Sequence, residues 1–279
     1  MRVQLQSVVL VAVGLLAGAL AVGALVLYEG FYSVAATRQH FRPTFWLLKA
    51  GLHESVEHHA RRIVPPRIDE ASLRDRGLAL YHSQCRQCHG APGIAPEVFA
   101  LGMTPVPTNL ADSTRLYTSA ELYWIVKNGL KMTGMPAWEF RLSDGDLWAV
   151  IAFVRELPHL SPAQYAERVK SSPAATAFPT ADEPQETPDP QRGKVALDQY
   201  ACLTCHRIPG VVGEQAPVGP SLEHIASRHY LAGRLRNTPE NMIRWLRAPQ
   251  EIHPGSAMPN LGMSERDARD IAAYLYTVR

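Results

Sequence analysis

Two short stretches carry the reactive residues of this chain. Cys85-Arg86-Gln87-Cys88-His89 and Cys202-Leu203-Thr204-Cys205-His206 both read C-x-x-C-H. That spacing attaches a c-type haem covalently. Two thiols add across the two vinyl groups of one porphyrin, and the two residues between them set the reach. The adjacent histidine then lies under the iron as its proximal ligand. C-x-x-C also occurs in zinc half-sites and redox dithiols. Zinc needs the two pairs to converge and does not require a histidine after each second cysteine. A thioredoxin-like dithiol sits in a βαβ pattern, which is absent here. All four cysteines fall in the two motifs, and none is left over. The expectation is two covalent c haems, attached at Cys85, Cys88, Cys202 and Cys205, with His89 and His206 on the irons.

The surrounding pattern must position these motifs. Leu73, Gly77, Leu80 and Tyr81 recur at helical spacing before Cys85. A Pro- and Gly-rich stretch after His89 predicts an irregular loop. Thr118-x-x-Glu121 is a capping box opening ELYWIVKNGLK, and Ser143-x-x-Asp146 starts DLWAVIAFVREL. Between them lies Met132-Thr133-Gly134-Met135-Pro136. The second half repeats the plan: Gly193, Leu197 and Tyr200 precede Cys202, and a Gly- and Pro-rich loop follows. Thr238-Pro239 then opens a helix, a loop holds Met258-Pro259, and Ser264-x-x-Asp267 starts the last helix. A twofold internal repeat makes accidental motif matches unconvincing.

The chain is 279 residues long, enough for two small domains plus extras. Ser7 to Tyr28 contains no charged residue and is about the length that spans a bilayer. Ala19-Leu20-Ala21 fits a signal-peptide cleavage site, but the apolar run continues to Tyr28, so an uncleaved signal anchor is favoured. Residues 29–68 exceed a simple tether. Tyr28, Phe31 and Tyr32 suit an interfacial aromatic belt. Pro43 opens a helix with Phe45, Leu48, Leu52, Val56 and Ile63 roughly on one face. His53, Glu54, Glu57, His58 and His59 lie beside it; a solvated or docked polar face outweighs a metal site there, since no dedicated ligand set forms. Residues 159–190 are rich in proline, with Ser, Thr, Ala and acidic residues between, and predict an extended, mobile linker. The expected organisation is therefore 1–28 anchor, 29–68 juxtamembrane helix, 69–158 first haem domain, 159–190 linker and 191–279 second haem domain.

Net charge is only +2, which argues against nucleic acid as a partner. It is unevenly spread: +4 over residues 1–68, −2 over 69–158, −3 over 159–190 and +3 over 191–279. Haem propionates make both haem segments more negative, leaving the first as the better match for a basic surface.

The repeated order of helix, C-x-x-C-H, loop, helix, Met-Pro loop and helix resembles the class I cytochrome c family, twice. The likeness covers about residues 70–158 and 190–279. It implies an all-α fold of two tandem class I cytochrome c domains behind one N-terminal transmembrane helix. In such a fold the first and last helices cross, and a methionine before the last helix is the distal ligand. Carried onto this sequence, His89 and Met135 ligate the first iron, and His206 and Met258 the second. Met103 and Met132 compete with Met135, and Met263 with Met258. The preferred residues each precede a proline, as the family motif does. His82, His224 and His253 are further candidates.

GPSLEHIASR, TPENMIRWLRAPQ and AMPNLGMSE resemble the cytochrome c domain fused to subunit II of caa-type haem–copper oxidases. The cupredoxin domain of that subunit, with its copper-ligand Cys and His residues, is missing here. GLALYHSQCRQCHGAPG and KMTGMPAW are similar to cytochrome modules of bacterial dehydrogenases and oxidases. The resemblance implies single-electron relay on the periplasmic face of a bacterial cytoplasmic membrane, to or within a terminal oxidase. Expected partners are redox proteins: a terminal oxidase, a quinol-oxidising complex or a periplasmic dehydrogenase. No small-molecule substrate is expected, because imidazole plus thioether fills both axial positions. A dihaem peroxidase is the rival chemistry, and it needs one iron with an open distal side.

Overall fold

The computed structural model describes residues 2–172, 187–213 and 218–278, with the backbone alone at residues 2–5 and 111–113. The chain divides into two compact units, residues 1–179 and 180–279. The first begins with α1 (Arg2–Tyr28), an apolar helix whose stretch Gln6–Tyr28 is long enough to cross a membrane and is not buried by the rest of the protein. A signal sequence passes the same test of length and composition.

Next come α2 (Arg42–Ala60), with Pro43 in its first turn, and α3 (Ala71–Leu80). A π-helical turn, Tyr81–Cys85, leads into the single turn α4 (Arg86–His89). After the short α5 (Val98–Leu101) and α6 (Leu110–Leu116) comes α7 (Ser119–Asn128). It starts at the capping box expected of Thr118 and Glu121, both hydrogen bonds being present. Then α8 (Asp144–Glu156) starts where Ser143 accepts the Asp146 N–H, as its sequence signal requires. Leu147, Ala149, Val150, Ile151 and Phe153 are fully buried on α8, and α3 packs along it. The C-terminal half of α2 packs on α7, burying Val56 and Ala60.

The expected linker begins differently. Residues 162–171 form a helix, α9 (Pro162–Ser171), capped by a reciprocal Ser161–Gln164 box. Its Tyr165 is buried in the first core, and Arg168 pairs with Glu156 at 2.7 Å and Asp75 at 2.9 Å. Proline here sits at the first helical position, where its missing N–H costs nothing, so it starts a helix instead of breaking one. Residues 173–186 of that expected linker lie outside the described residues.

In the second unit α10 (Pro190–Gln199) packs on α13 (Glu265–Leu275), the last helix. Between them are α11 (Pro239–Arg247) and the single turn α12 (Pro249–Ile252). Thr238 and Ser264 cap α11 and α13 as expected. A two-stranded antiparallel ribbon, β1 (Tyr230–Leu231) with β2 (Leu235–Arg236), precedes α11. It is too short to change the class: the protein is all-α, with the first and last helices of each haem unit in contact.

Candidate haem sites

Each site grows from the contact between its first and last helices. A Cβ on Gly77 would stand 1.9 Å from the Ala149 carbonyl oxygen, and one on Gly193 would stand 1.9 Å from that of Asp270. Glycine is what lets α3 press against α8, and α10 against α13. The cysteines follow within a few residues. In the first unit the π turn carries Cys85. Buried Tyr81 donates from its hydroxyl to the Gly90 carbonyl at 2.7 Å, which pins the backbone just after His89. In the second unit a 3-10 turn, Cys202–Thr204, does this work after a left-handed Ala201. There Tyr274, from the last helix, donates to the Pro209 carbonyl at 2.8 Å.

Both histidines are held in one way. His89 Nδ1 lies 2.8 Å from the Thr108 carbonyl oxygen, and His206 Nδ1 lies 2.8 Å from that of Pro220. A carbonyl only accepts, so Nδ1 carries the proton and Nε2 keeps its lone pair, the form a metal-ligating imidazole needs. Burial lowers the His89 pKa, against the smaller opposite pull of the Thr108 carbonyl, and so favours the neutral ring. Gly219 lies so close to the His206 ring that a Cβ there would meet Cε1 at 2.6 Å.

The four cysteines are unpaired and half-buried. Burial pushes the Cys85 thiol up to about 12 and the Cys202 thiol up to about 11. Among the described residues no three of His, Cys, Asp and Glu gather as a metal site, and this includes the polar face of α2. There His59 stacks on Trp124 with ring centroids 5.2 Å apart.

The two methionine loops share a construction. Thr133 Oγ1 accepts the Met135 N–H at 3.1 Å, and Ser256 Oγ accepts the Met258 N–H at 3.1 Å. The Met135 carbonyl also accepts the Leu130 N–H, closing the first loop on itself. Met135 and Met258 are both half-buried. Their competitors separate. Met132 is 97 % exposed on a left-handed backbone, and Met263 is buried in the second core. Met103 stays close to the first loop, its sulfur lying 2.6 Å from where a Cβ on Gly134 would stand. Among the histidine candidates, His82 is bonded to the Tyr165 hydroxyl at 2.8 Å, His224 is exposed, and His253 is half-buried.

Some positioning groups had no signal in the residue pattern. The Thr108 and Pro220 carbonyls lie 19 and 14 residues after their histidines, so no common spacing marks them. Arg155 was also missed: its guanidinium donates to the Thr114 and Tyr117 carbonyls and to Ser119, tying α8 to the start of α7. Thr133 and Ser256 were visible in principle, as a hydroxyl residue two before each Met-Pro.

The fold and the paired sites define a protein with two cytochrome c units and two covalent c-type haems. Residues 72–154 match the family described as cytochrome c oxidase, cbb3-type, subunit III, and residues 190–279 match the family described as cytochrome c. The chain is 32 % identical over 104 residues to cytochrome c2 of Rhodopila globiformis, covering 94 % of that protein and 33 % of this chain. It is 35 % identical over 99 residues to cytochrome c oxidase subunit 2 of Alkalihalophilus pseudofirmus, covering 35 % of this chain. The chain spans 28 % of the length of that subunit. This chain belongs to the cytochrome c family, and its chemistry is electron transfer.

Proposed function

We propose that the protein is a membrane-anchored dihaem relay of a respiratory chain, working on the periplasmic side and passing single electrons to or within a terminal oxidase. In this reading α1 is an uncleaved anchor, and residues 69–158 and 191–279 are the two haem domains. Cys85 and Cys88 hold one porphyrin, and Cys202 and Cys205 the other. His89 with Met135, and His206 with Met258, would supply the protein ligands of the two irons. The bound haem supplies a reversible one-electron iron couple, and imidazole–thioether ligation raises its potential.

The observation that carries this reading is the duplicated geometry of the ligand-bearing segments. In each unit a backbone carbonyl orients the histidine, and a hydroxyl two residues upstream fixes the methionine backbone. Such bonds hold a side chain in place through a change of charge, which suits an electron carrier. The names of the relatives add the oxidase context, and the match of residues 72–154 favours the cytochrome subunit of an oxidoreductase complex as a second reading. Copurification after mild detergent extraction separates the two, since a solitary cytochrome excludes a stable complex.

Met135→Ala and Met258→Ala test the ligand assignment. Each is expected to lower the potential of one haem and remove that haem's share of the sulfur–iron charge-transfer absorption. An unchanged band in either variant refutes that methionine; for the first haem, Met103 is then the alternative. Rapid carbon monoxide binding by the reduced wild-type protein refutes the pure carrier and favours the peroxidase-like alternative.

A further inference from the structure

Half of α2 belongs to the first haem unit, and half projects from it. Val56 and Ala60 are buried, and the His53 and His59 rings lie against Tyr117 and Trp124. The same apolar stripe, followed back towards the N-terminus, is left uncovered by the described residues. Phe45, Trp46, Leu47 and Leu48 are 55–69 % exposed, and Phe41 is 63 % exposed. At 3.6 residues per turn, four successive positions encircle the helix. A helix end that is apolar all round is wider than the stripe a single protein groove covers, and it suits an apolar medium.

Two observations identify that medium. The first is continuity with α1. The Phe31 N–H bonds back to the Val26 carbonyl of α1 at 3.1 Å, and the Tyr32 ring meets Phe41, the residue before α2, edge-on at 5.4 Å. The start of α2 is therefore tied beside the end of α1, and Thr104 Oγ1 holds the connection to the first haem unit through the Ala36 carbonyl at 2.7 Å. The second is charge. Between Gly30 and His53 the charged side chains are Arg38, Arg42 and Lys49, with no acid among them. Cations flanking an apolar segment match an anionic lipid surface, where long stems lie along the acyl boundary and heads reach phosphate. Length fixes the depth. Residues 41–48 rise about 12 Å as a helix, against the ~30 Å of a hydrocarbon core. They reach the boundary zone and do not cross.

We propose that the N-terminal half of α2, residues 41–48, inserts into the interfacial layer of an anionic bilayer and seats the first haem unit on the membrane surface beside α1. The proposal rests on α1 being a membrane anchor, and its test reads the two separately. In the full-length holoprotein the native cysteines are consumed by haem, so an introduced cysteine is the single free thiol. Leu47→Cys, Val13→Cys and Glu57→Cys are each labelled with bimane. The proteins are reconstituted in vesicles of phosphatidylcholine with phosphatidylglycerol, then quenched with doxyl-phosphatidylcholine or with aqueous iodide.

Position 47 is expected to be quenched several-fold more by the lipid reagent than position 57, and position 57 several-fold more by iodide. Omitting phosphatidylglycerol is expected to increase iodide quenching at position 47. If position 13 is lipid-quenched while position 47 is as open to iodide as position 57, the proposal fails and the anchor stands. Iodide access at position 13 overturns both. Protection of position 47 from both reagents means that protein covers it, which also overturns the proposal. Indifference to phosphatidylglycerol refutes the anionic requirement.

Discussion

Gly77→Ala tests the joint on which the first haem site is built. The added Cβ would meet the Ala149 carbonyl oxygen at 1.9 Å, the carbonyl carbon at 2.7 Å and Phe153 Cβ at 2.8 Å. Ordinary contact begins at 3.4 Å, so α3 and α8 must separate by about 1.5 Å along this line. The obstacle is helix backbone, which cannot rotate aside as a side chain can. Overpacking of a core costs about 1–3 kcal/mol, and a rigid neighbour places this case near 3. Alanine returns about 1 kcal/mol of helix propensity. The net loss is about 2 kcal/mol, which in a unit of roughly 140 residues outside α1 lowers Tm by about 7 °C. Scanning calorimetry of the full holoprotein is the assay, with Gly193→Ala as the matched change in the second unit. Each variant should lower the transition of its own unit and leave the other in place. Should the variant fail to mature, haem content per chain falls from two to one. A transition unchanged or raised by Gly77→Ala, with both haems present, would refute the close contact and leave only the propensity gain.

Two further outcomes follow from particular contacts. Burial works against the charged form of Asp146, yet hydrogen bonds from Arg76 and Ser143 outweigh it and hold its pKa below the usual carboxylate value. Because the folded value is depressed, this stabilisation is present above the unfolded carboxylate pKa of about 4 and is lost as pH falls through the folded value. Acid unfolding of the first unit should therefore be less steep in Asp146→Asn than in the wild type, and parallel curves would show that Arg76 contributes nothing. Tyr165→Ala removes a ring that is 1 % exposed and bonded to His82, a large-to-small change costing about 3–5 kcal/mol. Limited proteolysis should then cut within residues 160–171 while both haems remain, and unchanged resistance would show that α9 is held by its Arg168 ion pairs instead.

Local signals carried most of the fold. The caps at Thr118, Ser143, Thr238 and Ser264 all stand where the residue pattern places them, because a cap is a contact between residues three apart. The helix at Pro162 went unread although it has a cap of the same kind, Ser161 with Gln164. Its surroundings are so rich in proline and serine that the composition reads as a linker even though the cap marks a helix start. What stabilises it is distant: Tyr165 fits beside His82 and Phe153, which no window of neighbouring residues displays. The site divides in the same way. Cysteine and histidine spacing is local and legible. The carbonyls that orient the histidines belong to loops whose path depends on the whole unit.

The two units also show which parts of the site are free to vary. In both, an arginine immediately precedes the close-contact glycine: Arg76-Gly77 and Arg192-Gly193. Each arginine reaches an aspartate on the last helix, but not at the same level. Arg76 pairs with Asp146, three residues after the cap Ser143, whereas Arg192 pairs with Asp270, six residues after the cap Ser264. In the second unit the aspartate three after the cap, Asp267, accepts the Tyr200 hydroxyl at 2.8 Å instead. The tyrosine that steadies the backbone after the histidine comes from the helix before the cysteines in one unit and from the last helix in the other. Partners have been exchanged around a joint that has not moved. That is the expected outcome if the helix contact is what sets the cysteines against the haem edge. Polar pairs can be rebuilt one turn along a helix at little cost, but a backbone-to-backbone approach has no substitute residue.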